Sequence, residues 1–144
     1  MMCLRSSGAG LLVLVMQLGC GAAAQEGPKA YSCMFSEGAS FGLEQGVFKG
    51  GPTQASLVFD VTDIDMDAQT AKLRFGAREV PVKLVQAISA VHFIEVAGEG
   101  YLNLTTIYAV AGNEQSYPAV HSRHFGVLGQ PVVSQYRGTC KAKG

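Results

Sequence analysis

The chain has 144 residues, of which 48% are hydrophobic and 15% charged, with eleven basic and eleven acidic side chains. That balance leaves no basic stripe for a nucleic acid, and so apolar a composition is not that of an acidic disordered tail. The length suits one domain whose core can fold without a metal.

The first 24 residues read as an export signal. Arg5 precedes the apolar run Leu11 to Met16, and the small residues Ala22, Ala23 and Ala24 follow, in the order of a secretory leader. The run falls short of the roughly 20 apolar residues a membrane span requires. Ala22 and Ala24 predict cleavage before Gln25, which leaves residues 25–144 as a single exported β-domain of 120 residues with a net charge of −1. A second processing route starts from Cys20, which follows Leu18 and Gly19. Lipidation there would anchor the chain to a membrane, although Gln17 stands where a lipoprotein signal usually carries leucine.

Beyond the leader the dominant period is two. Ala55, Leu57, Phe59 and Val61 alternate with polar or opposite-facing neighbours, as do Ala71, Leu73 and Phe75, and then Val80, Val82 and Leu84. Each pattern predicts a strand with one buried face. Pro81 inside the third predicts an edge or a bulge. The segment Leu84 to Val91 is rich in Val and Ile and is read as strand, turn and strand. Tyr101 to Val110 is the longest run. It puts Leu102, Leu104, Thr106, Tyr108 and Val110 on one face and Tyr101, Asn103, Thr105 and Ile107 on the other.

Turn signals fall at Gly50-Gly51-Pro52, Asp67-Ala68-Gln69, Gly76-Ala77, Gly98-Glu99-Gly100, Gly112-Asn113 and Gly129-Gln130-Pro131. Together they predict an all-β antiparallel meander of about eight or nine short strands, closing into a small barrel or sandwich. The barrel is the simpler closure for consecutive hairpins.

The segments Phe93-Ile94-Glu95, Leu104 to Tyr108, Ala119 to His124 and Ser134 to Cys140, with the early Tyr31-Ser32-Cys33, resemble those of small exported proteins of alphaproteobacteria with no assigned function. The resemblance spans nearly all of residues 25–144. It implies a bacterial periplasmic home and supplies no catalytic residue.

Candidate chemistry is sparse. Asp63, Asp65 and Asp67 alternate, and hard cations favour such oxygen clusters. A helix-loop-helix calcium site would, however, need glycine and glutamate where Ala68 and Arg74 stand. The cluster reads better as a hairpin turn in which Asp67 bonds to backbone amides. Val120-His121-Ser122-Arg123-His124 is the densest reactive stretch. It makes His121, Ser122, Arg123 and His124 the candidate binding residues, with His92 as a possible partner across the sheet. Residues three apart on a strand point to opposite faces, so His121 and His124 do not chelate one metal, and no cysteine pair is left to complete a zinc site. Ser122 is flanked by His121 and Arg123 rather than by the glycines of a nucleophile elbow. Asn103-Leu104-Thr105 matches a glycosylation sequon but lies within a predicted strand.

Cys3 and Cys20 fall in the leader, so Cys33 and Cys140 remain as an even pair without C-x-x-C spacing. A structural disulfide between them would tie the first strand to the last, and closing a loop of about 100 residues contributes about 4 to 5 kcal/mol in the chain-entropy model. The expected function is therefore that of an exported periplasmic β-domain without cofactor or metal, non-enzymatic, which binds a small ligand or an envelope protein. The alternative is a small periplasmic hydrolase using the His121, Ser122 and His124 strand.

Overall fold

The computed structural model describes residues 27–98, 101–109, 115–126 and 129–144. The leader, Cys20 and the Gly112-Asn113 turn lie outside these residues. Eight strands follow one another: β1 (Ala30–Glu44), β2 (Val47–Asp65), β3 (Thr70–Phe75), β4 (Arg78–Gln86), β5 (Ala90–Ala97), β6 (Tyr101–Tyr108), β7 (Ser116–Phe125) and β8 (Val132–Lys143). Each pairs antiparallel with the next, and β8 returns to pair with β1. Closure makes the protein an up-and-down barrel and leaves no sheet edge at that seam.

Alternation decides what points inward. Cys33, Phe35, Phe59, Val61, Leu73, Leu84, Phe93 and Ile107 are all buried, and each stands at a position of the inward phase of its strand. Cys33 faces Cys140 directly across the β1–β8 seam with their Cα atoms 4.0 Å apart, and the two form the disulfide. The first and last strands thus lie side by side, held by a bond that fits an oxidising compartment.

Two glycines make the seam possible. A Cβ on Gly138 would overlap the Met34 carbonyl oxygen and lie 2.7 Å from Phe35 Cα. At Gly38 it would overlap the Gln135 carbonyl oxygen and lie 2.7 Å from the Tyr136 ring. The two backbones approach where β1 is bulged between Phe35 and Glu37, and only glycine leaves room.

Two local details correct the sequence reading, and a third, the edge expected at Pro81, agrees with it. Gly50-Gly51-Pro52 is not a turn: it lies inside β2, and the β1–β2 hairpin turns instead at Gln45 and Gly46, both with positive φ (51° and 80°). That pair of left-handed residues is what a two-residue hairpin loop of the primed type requires. In the β2–β3 turn the Ala68 N–H donates to Asp65 Oδ1 (2.8 Å), so Asp65, not Asp67, makes the turn bond. Asp63 sits in a bulge with φ 52° and its carboxylate pairs with Lys72 at 2.8 Å. Pro81 pairs with Lys72 of β3, while β5 joins β4 only from Lys83 onward, so on that side β4 is locally an edge and tolerates the missing donor.

Candidate binding site at the barrel mouth

The register sorts the interior of β5 to β8 into layers. At the end where the chain starts and finishes, Tyr31 lies across from Ala142, and Cys140 from Tyr117. The Tyr31 and Tyr117 rings meet edge to face at 5.7 Å. Ile107 pairs with Ala119, and Ala119 with Gly138, in the next layer up. This half is apolar and filled. Phe93, Thr105, His121 and Tyr136 form the following layer, each opposite the next. Above it Glu95 pairs with Asn103, Asn103 with Arg123, and Arg123 with Ser134. Tyr101 and Phe125 close the series at the rim, their rings edge to face at 4.3 Å. The interior is therefore graded from an apolar floor to a polar mouth.

His121 stands at the boundary. Its ring is 1% exposed and packs against Phe35 (5.7 Å) and Phe59 (5.4 Å). Arg123 Nε–H donates to His121 Nε2 at 3.2 Å. Nε2 is thus the acceptor, and Nδ1 carries the proton toward Thr105 Oγ1, 2.9 Å away. Burial, reinforced by the neighbouring Arg123 charge, pushes the imidazole down to about 4, so it is neutral at physiological pH. The guanidinium of Arg123 also lies over the Tyr136 ring, 5.6 Å from its centre.

One layer higher, Glu95 is 4% exposed. Its carboxylate accepts a hydrogen bond from Asn103 Nδ2 at 2.8 Å. The other end of that amide, Asn103 Oδ1, is buried without a hydrogen-bond partner, which is costly unless something occupies the site. Together with Arg78, Val80, Tyr101 and Arg123 these residues line a cavity of about 560 Å³ at the mouth, within the size range of small-ligand sites. Among the described residues neither Glu95 nor the two arginines takes part in an ion pair.

The structure divides the residues picked out in the sequence. His121 and Arg123 point into the barrel and touch, whereas Ser122, His124 and His92 belong to the outward phase. Ser122 Oγ accepts from Gln135 Nε2 at 3.2 Å, and His92 Nδ1 lies 2.9 Å from Thr106 Oγ1. His92 is paired with Thr106 while His124 is paired with Leu102, on different strands and at different heights, so they do not converge with each other or with His121. No group of three metal-binding side chains occurs among the described residues. Glu95, Asn103, Thr105 and Tyr136 complete the site without having been singled out. Glu95 and Asn103 did leave one trace, since each interrupts the inward, mostly apolar phase of its strand.

A second concavity, of about 630 Å³, lies on the outside of the wall formed by β2, β1, β8 and β7, where Phe41, Pro52, Val120 and Val133 line it. It is larger, but its polar lining, Gln135, Tyr136 and Arg137, includes no buried charged side chain, and the mouth is the better-built site. No protein-family model matches the chain, and no curated protein matches its sequence.

Proposed function

We propose that the protein is an exported, non-enzymatic binding domain of the bacterial periplasm that holds a small polar ligand in the mouth of its barrel. One observation carries this reading: Glu95, a buried carboxylate, and Asn103, whose amide oxygen is buried without a hydrogen-bond partner, both line a cavity at the polar end of the described interior. A small ligand fits better than an envelope protein, because these groups face inward. Several outward cations are paired with carboxylates, Lys72 with Asp63, Arg74 with Glu79, Arg137 with Glu37 and Lys143 with Asp60, which also speaks against a nucleic-acid face. A hydrolase built on Ser122 and His121 is disfavoured because they occupy opposite faces of β7.

The test is a thermal-shift screen of the mature, oxidised protein against a library of polar metabolites. A bound ligand raises the melting temperature in proportion to its concentration over Kd. Asn103→Leu, which removes the polar centre of the mouth, is expected to abolish the shift, while Ser122→Ala and His124→Ala on the outer face leave it intact. A shift that survives Asn103→Leu would place binding elsewhere. Mass spectrometry of the exported protein is expected to find Gln25 at the N-terminus; an acylated Cys20 would instead mean a membrane-tethered form.

A further inference from the structure

We infer that the mouth recognises a zwitterion of the amino-acid type, an ammonium and a carboxylate on one small molecule, an assignment that rests on the mouth being a ligand site. The argument begins from unmet valences. Asn103 gives an N–H to Glu95, and the oxygen of the same amide is buried without a hydrogen-bond partner in a side chain that lines the cavity. A carboxylate and an amide oxygen on adjacent strands are two acceptors side by side, and an ammonium, with three donors and no acceptor, satisfies both.

On the far side of Asn103 stands Arg123, its register partner on β7, with Arg78 contributing to the same cavity. Strands lie about 4.8 Å apart, so the backbones of Glu95 and Arg123 are separated by roughly 10 Å. Two side chains reaching inward across that distance leave room for one compact molecule between them. Arg123 commits its Nε to His121, which holds the guanidinium plane in place and leaves its remaining N–H groups for a carboxylate, the partner its fork matches best. The neutral state of His121 matters here, since a cationic imidazole beside Arg123 would repel the guanidinium it positions. At the rim, Tyr101, Phe125 and Val80 offer an apolar rest for a side chain.

Charge decides between this class and its neighbours. A plain acid would satisfy the arginines but bring its negative charge near Glu95, and a plain amine would do the reverse. A neutral sugar would leave the buried Glu95 and the half-buried Arg123 without an ion-pair partner, which is expensive.

The experiment is calorimetric titration of the mature, oxidised protein with the proteinogenic amino acids, each binder then compared with the amine lacking its carboxylate and the acid lacking its amine. For phenylalanine these are phenethylamine and 3-phenylpropionate. At least one amino acid is expected to bind, with both truncated analogues at least 10-fold weaker. Glu95→Gln is expected to erase the preference for the amino acid over the acid, and Arg123→Gln the preference over the amine. Thermal melts of both variants check that each is folded. An analogue that binds as tightly as its parent overturns the zwitterion assignment while leaving a ligand site at the mouth. So does binding of polar metabolites with no amino acid among them. If no small molecule of either set binds in a manner sensitive to Asn103→Leu, the mouth is not a ligand site and both conclusions fall.

Discussion

His121 titrates differently in the folded and unfolded chain, and the sign of that difference can be measured. Its folded value is pushed down to about 4 from an ordinary 6.5. Above pH 6.5 the imidazole is neutral in both states and its contribution to stability is whole. As the pH falls below 6.5 the unfolded chain takes up a proton that the folded barrel refuses, so stability is lost until the folded ring also protonates near pH 4. The loss over that window is about 3 kcal/mol. In His121→Gln, chemical denaturation curves collected from pH 7 to 4 should lose this component relative to the wild type; carboxylate titrations are common to both and cancel in the comparison. Parallel stability profiles for the two proteins would refute it. Glu95 makes the complementary case. A carboxylate held at 4% exposure without an ion-pair partner among the described residues is costly, so Glu95→Gln should stabilise the protein by about 1 kcal/mol, read as a higher urea midpoint. A stability cost of that kind would fit the ligand site proposed for the mouth.

At the scale of the strand, alternation was legible and register was not. The patterns around Phe59, Leu73, Val82 and Thr105 predict β2, β3, β4 and β6 because each strand has one buried face, and the same phase separates His121 from His124. No clear alternation marks the second half of β1 or the start of β2. Their glycines and small polar residues break the period, and the hairpin turns at Gln45-Gly46, whose first residue is not one of those that ordinarily advertise a primed turn. Gly50 carries a turn signal in the sequence, yet its smallness serves the backbone of Ser40, whose carbonyl oxygen a Cβ would overlap. The site was half legible for a related reason. His121 and Arg123 are neighbours in one strand, but Glu95 and Asn103 join them through pairings between strands, which local sequence does not encode. The seam yields a prediction at this scale. Gly138→Ala drives a methyl group into the Met34 carbonyl, and since backbone cannot rotate aside, the expected loss is about 3 kcal/mol. Substituting Gly51, where a Cβ meets nothing within 4 Å, is the control and should cost much less.

For the whole molecule, the disulfide and the closed sheet act on the same two strands. Cys33 and Cys140 are 107 positions apart in sequence, so the bond removes a large loop entropy from the unfolded chain, about 4.7 kcal/mol in the chain-entropy model. The Cys33→Ser/Cys140→Ser double variant should melt well below the oxidised wild type, and the reduced wild type should match the variant. A difference of less than 1 kcal/mol would mean that residual structure already restrains the reduced unfolded chain.

Ala30 pairs with Lys143 at the floor of the barrel, the far end from Glu95 and Arg123. Both strand ends therefore leave the domain on the side opposite its opening. A tether at either end, whether a lipid, a surface linker or a fusion partner, would hold the barrel like a cup by its base. Joining residues 143 and 30 with a short peptide and cutting the chain at Gln45-Gly46 should give a circular permutant whose ends leave beside the opening instead.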